Sequence, residues 1–213
     1  MVTIVSNVLE PHFPTTVLVR EHSDVREINA GVISVIDKLY VDFVSTERNA
    51  ATNGDSTTMG GYQTEAGMAF LDFDDPRVAQ LKAEIVLPAV EHYLTEVYSV
   101  NPLFTPFTVK SWANRLSRGD WQAPHMHPKE YTIISGVYYV DVPTAPAPSG
   151  HIEFINPNLA SVSLGGQIAT RRHEPKTGQI LLFPPYYMHF VHPLQGGSSR
   201  DVVAFDVSLD DRR

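Results

Sequence analysis

The sequence predicts a mainly β fold, a two-sheet sandwich or barrel with helices laid against one outer face. Two observations carry this. From about residue 103 short β-rich runs recur at regular intervals, separated by Pro, Gly, Asn and Asp, the pattern of a sheet that turns back on itself many times. Ahead of them lie two amphipathic helical patterns, which must bury their apolar stripes against something, and the sheet is the available surface. A chain of 213 residues suits one domain. We therefore expect a single domain over residues 1–213, helix-rich over 1–100 and with its β core over 103–210.

Taken in order, the Thr- and Val-rich segment Phe13–Glu21 reads as a strand. Asp24, with Glu27 three residues on, has the form of a helix cap. Val25, Ile28, Val32, Val35, Ile36, Leu39 and Tyr40 follow at helical spacing. The polar stretch Ser45–Gly61 reads as a loop and is a candidate lid. A second helix is expected after Asp75-Pro76, with Pro88 kinking or breaking it. The strands then expected are Phe107–Leu116, Thr132–Val142, His151–Ile155, Val162–Thr170, Gln179–Phe183, Tyr187–His192 and Val202–Leu209. Between the second and third, Pro143–Gly150 reads as a stiff, exposed connection.

Composition removes several kinds of chemistry. The chain has no cysteine, which excludes disulfides, thiolate metal sites and a cysteine nucleophile. A metal would have to be held by His, Asp or Glu. The net charge of -8 argues against a nucleic-acid partner, since phosphate binding calls for basic excess. No apolar run approaches a membrane span and no signal-peptide pattern opens the chain, so no membrane partner and a cytoplasmic location are expected. A small molecule or a peptide side chain is the expected substrate class, and the chain is compatible with a homodimer.

The stretch that carries chemistry is WANRLSRGDWQAPHMHP, Trp112–Pro128. His125 and His127 are one residue apart, and on an extended strand positions i and i+2 face the same side. Both imidazoles can then reach one ion and supply two ligands of a facial site with open positions for substrate and oxygen. A third ligand can come from the late segment FPPYYMHFVHP, which offers His189 and His192. Three residues apart on a strand, they point to opposite faces, so only one can join. Arg200 follows one strand later, a residue able to grip a carboxylate bidentately. Asn114 shares a strand face with Trp112 and Leu116 and points inward, toward a co-substrate or an internal partner. Tyr138 and Tyr139 take opposite faces. Glu153 is expected to face solvent, and His151 and His173 to lie at the surface.

The run of Trp112 and Asn114, then Gly119, then His125, His127 and Pro128, then Ser135–Val140 (SGVYYV) resembles a bacterial family of the 2-oxoglutarate/Fe(II)-dependent oxygenase superfamily. Gly150–Phe154, Gly178–Pro184, His189, Val191, Pro193 and Arg200 extend the likeness, as do FPTTV and GGYQT nearer the start. The resemblance implies a double-stranded β-helix (jelly roll). It also implies Fe(II) held by His125, His127 and His189, with 2-oxoglutarate as co-substrate and Arg200 binding its far carboxylate. The activity implied is a dioxygenase, specifically a hydroxylase. The sequence departs from the pattern in three places: His127 stands where most relatives carry Asp or Glu, Val202 where a serine is usual, and Asp206 where Asn is expected. Two other readings remain. One is a cupin-type metalloprotein or a dioxygenase that does not use 2-oxoglutarate. Gly119, His125 and His127 fit the first cupin motif, but Glu130 arrives too early and Pro175 and Gly178 do not reproduce the second. The other is a metal-binding protein without turnover.

Overall fold

The computed structural model describes residues 14–45, 57–64, 68–127, 132–158, 160 and 169–209. In chain order they form β1 (Leu18–Glu21), α1 (Arg26–Ser45), and two-residue strands β2 (Thr58–Met59) and β3 (Tyr62–Gln63). A 3-10 turn (Phe70–Asp72), α2 (Pro76–Leu81), a π turn (Lys82–Val86) and α3 (Leu87–Tyr98) follow. The β region comprises β4 (Phe107–Leu116), β5 (Trp121–His125), β6 (Thr132–Asp141), β7 (Ile152–Ile155), β8 (Thr170–His173), β9 (Gln179–Phe183), β10 (His189–Val191) and β11 (Arg200–Leu209).

The strands make two antiparallel sheets. One has six strands in the order β1-β9-β6-β11-β4-β3 and the other five in the order β2-β5-β10-β7-β8. Alternation of side chains divides the large sheet into two faces. Ile134, Tyr138, Ile180, Val203 and Phe205 pack on one face against Val32 and Ile36 of α1 and Leu81 and Leu94 of the later helices. Tyr139, Leu181, Phe183 and Val202 face the small sheet, where they meet Ile152, Phe154 and Val191. Each such side chain, fully buried, is worth roughly 1.5–3 kcal/mol. The helices thus cover the outer face of the large sheet, as the sequence pattern requires, and the space between the sheets is left for a site.

Polar pairs fix how the helical layer sits. Asn29 in the buried stripe of α1 donates to the Val140 carbonyl at 2.8 Å and accepts from the Tyr138 hydroxyl at 2.8 Å. Arg115 ties β4 to β11 through two bonds to Asp201, at 2.6 and 2.9 Å, and reaches Asp37 of α1 at 2.7 Å.

Several local expectations are corrected. Asp24 does not cap α1: it lies at φ 60 and the helix begins at Arg26. At Pro88 the α-helical ladder is interrupted, as expected, here by a π turn that separates α2 from α3. The Leu87 N–H bonds back to Lys82, one residue further than in an α-helix, and this slip in the ladder admits the proline. Asp75 does cap α2, accepting from Arg77 and Val78, with Pro76 next. Pro143–Gly150 is not wholly exposed, because Ser149 and Gly150 are buried. The strand expected over 162–170 lies outside the described residues except for its last two positions, and the candidate lid does so over 46–56, while 57–61 carry β2. Strands β1, β2 and β3, from the first hundred residues, complete the two sheets.

Candidate functional site

His125, His127 and His189 converge between the sheets. β5 and β10 pair with His189 directly opposite His125, which sets those side chains against each other on one face. Their ring centroids are 4.3 Å apart. His127 lies just past the end of β5, and its backbone N–H bonds to the Pro185 carbonyl at 2.8 Å, so its ring is held on the same side. It stacks on Trp112 at 5.8 Å. One ring nitrogen from each histidine lies within 4.8 Å of the others, and among the described residues this is the only group of His and carboxylate side chains so gathered.

The second nitrogen of each ring is already engaged. Nδ1 of His125 is 2.7 Å from the Ala123 carbonyl, and Nδ1 of His189 is 2.9 Å from the Tyr187 carbonyl. Nδ1 of His127 faces the Asp206 carboxylate, at 3.1 and 3.3 Å from its two oxygens. A carbonyl or carboxylate can only accept, so each Nδ1 carries the proton and each Nε2 keeps a free lone pair. Three imidazoles so arranged fit a divalent cation.

Burial strengthens the neutral form. It lowers His125 from 6.5 to about 4, and the neighbouring His127 adds to this while the Ala123 carbonyl and Asp206 oppose it. His189 is driven well below its ordinary value by burial and then by His125. The unfolded chain therefore binds more protons than the folded one between pH 6.5 and 4, and stability is full above that window and lost as pH falls through it. His125 alone is expected to account for about 3 kcal/mol. Melting of the metal-free protein across this range should show the loss, and His125→Gln should reduce it, leaving the part due to His189; an unchanged slope would show that His125 is not a source.

The cavity between the sheets has a volume of about 320 Å3 and is lined by the three histidines, Trp112, Asn114, Val202, Asp206 and Arg200, among others. Arg200 is 2 % exposed. Its Nε and Nη1 have no hydrogen-bond partner, and neither do the Tyr139 hydroxyl and Asn114 Oδ1. The guanidinium lies 5.1 Å from the centre of the Tyr139 ring. Burial raises the Tyr139 phenol, and the charge of the nearby guanidinium opposes this. The acid nearest in sequence, Asp201, is held by Arg115. Gly150, at φ 66, crosses beside Arg200, and a Cβ there would come within 3.3 Å of Arg200 Cδ; the glycine suits both the backbone and the close approach.

His192 is outside this group. Its Nε2 is 2.6 Å from Glu153 Oε2. Glu153 does not face solvent as expected: it is 8 % exposed and is also held by Thr170 and Arg172. His151 is likewise buried rather than superficial, and His173 is half-buried against Gln179 at 2.6 Å. Asp206 was missed as a site residue. Its parity was the available signal, because Arg200, Val202, Ala204 and Asp206 alternate along β11 and all line the cavity.

Comparison with known proteins gives a match over residues 110–206 to a family described as "Putative 2OG-Fe(II) oxygenase". The match spans β4 to β11 up to Asp206 and supports the superfamily that the motifs resemble. No curated protein matches the sequence. Among solved structures the chain is similar to a prolyl-4-hydroxylase from Pseudomonas putida, at 13% identity, covering 92% of this chain and 93% of that one with a TM-score of 0.59. It is similar to a prolyl hydroxylase from Trichoplax adhaerens in complex with a hypoxia inducible factor peptide fragment, at 13% identity, 90% and 83% coverage and TM-score 0.61. It is also similar to HygX from Streptomyces hygroscopicus with nickel and 2-oxoglutarate bound, at 12% identity, 91% and 82% coverage and TM-score 0.57. These likenesses show the fold, a double-stranded β-helix. No helix among the described residues is long and apolar enough to cross a membrane.

Proposed function

We propose that this chain is a 2-oxoglutarate- and Fe(II)-dependent oxygenase, a hydroxylase, with iron held by His125, His127 and His189. The observation that carries the reading is the buried guanidinium of Arg200, with two unpartnered nitrogens in the wall of the cavity the histidines line. A buried cation without a partner is costly, and a dicarboxylate reaching the metal with one end would answer it with the other. The family match over the β core and the solved neighbour holding nickel and 2-oxoglutarate support the same cofactors.

Bound iron with 2-oxoglutarate and O2 would supply oxidative decarboxylation of the co-substrate coupled to hydroxylation of a C–H bond. The chain's own contribution is orientation and exclusion of water. Arg200 binds the far carboxylate, with Tyr139 placed to donate its hydroxyl beside it and Asn114 offering its amide from the neighbouring strand. Val202 presents no hydroxyl, so the Tyr139 phenol takes the place of the missing serine. Phe183, Ile152 and Val191 keep the inner wall apolar. At the rim, Thr57, Lys110, Gln122 and Met126 would meet the prime substrate, a small molecule or a peptide side chain.

Anaerobic titration of the iron-loaded protein with 2-oxoglutarate tests the proposal. A weak visible charge-transfer band that saturates at one equivalent is expected. Iron binding without such a band, and without competition by 2-oxoglutarate analogues, would favour a cupin-like metalloprotein instead.

A further inference from the structure

Asp206 has no assigned part in the site, yet it is 3 % exposed at the end of the cavity that holds His127. A buried carboxylate needs partners. Asp206 has two: Ser135 donates to Oδ1 at 2.7 Å, and His127 Nδ1 lies 3.1 Å away. It is not a member of the group whose ligating atoms converge. His125 and His189 each give their Nδ1 proton to a neutral backbone carbonyl. Only His127 gives it to an anion, and His127 also occupies the position at which the chain lacks a ligating carboxylate.

We propose that Asp206 is the positioning residue of the metal centre. Its carboxylate fixes His127 with Nε2 toward the cation, and it returns to the site, through that ring, the negative charge that a ligating carboxylate would otherwise bring. Three imidazoles neutralise none of the charge of a divalent ion, so a carboxylate behind one of them makes that ring a better ligand. Ser135 sets the angle of the carboxylate from β6, across the register pair Ser135–Asp206. The inference rests on the metal-centre reading above.

Co(II) serves as the probe, read by affinity and by its visible spectrum in the full chain. Asp206→Asn keeps the size and the bond with Ser135 but removes the charge. It is expected to weaken Co(II) binding by about 10–100-fold and to shift the spectrum while the metal-free protein melts as before. In a His127→Ala background the same substitution should cost nothing further, because Asp206 acts through that ring; a purely structural role would give losses that add. If D206N does not fold, Ser135→Ala is read instead, with a severalfold loss expected. Unchanged affinity, or additive losses, overturns this inference while leaving the metal centre in place. A parent protein that binds no Co(II) overturns both.

Discussion

The His189→Ala protein is expected to come through dialysis without iron, while His192→Ala retains it. His189 is buried at the centre of the small sheet, opposite His125, with its Nδ1 proton given to the Tyr187 carbonyl. Its Nε2 has no partner but the shared point. Removing it leaves two ligands on a labile divalent ion, and the affinity should fall by more than the roughly 100-fold that loss of an outer partner costs. His192 is three residues on, and the pleat turns it to the other side, onto Glu153 at 2.6 Å. Its loss takes one of three partners from the Glu153 carboxylate and costs about 1–3 kcal/mol of stability, not metal. Metal analysis of both variants, with circular dichroism to establish folding, separates the effects. If His192→Ala were the variant that lost iron, the ligand set proposed here would be wrong.

That contrast rests on strand parity, and parity explains what the sequence made legible. Strands β4 and β9 fall at the expected residues, β4 by its alternation and β9 as a short apolar run, each ending at turn residues. The convergence of His-x-His with a distant histidine could be read as chemistry before the fold was known. What could not be read was which partner each polar residue would find. Glu153 looks like the solvent-facing position of a strand; it is buried because His192, just past β10, and Thr170 of β8 close over it. Asp24 has the composition of a helix cap but lies at φ 60, a choice made by how the chain leaves β1, not by local pattern. In the sequence Asp206 stands out only as a departure from a motif. Its parity put it in the cavity, but its partner His127 is 79 residues away in sequence, a pairing that only the closed barrel creates.

Arg200→Met is expected to abolish binding of 2-oxoglutarate, leave iron in place and not destabilise the metal-free protein. In the ligand-free fold the guanidinium is desolvated, and burial lowers its pKa despite the neighbouring Tyr139 and Asp201. Two of its nitrogens donate to nothing. An apolar chain of similar length pays no such penalty, and replacing buried charge by well-packed apolar groups is often neutral or stabilising. The ligand-bound state reverses the balance. A carboxylate carried into the same wall without a cation would be buried unpaired, which costs about 3–5 kcal/mol, or roughly 100- to 1,000-fold or more in affinity. Tyr139→Phe should lose about tenfold, the worth of one hydrogen bond to a charged group. Calorimetric titration of iron-loaded variants with 2-oxoglutarate gives the affinities, and thermal melts of the metal-free forms give the stabilities. A destabilised Arg200→Met protein that still binds 2-oxoglutarate would mean the guanidinium is a structural strut, and the oxygenase reading built on it would give way to a cupin-like metalloprotein.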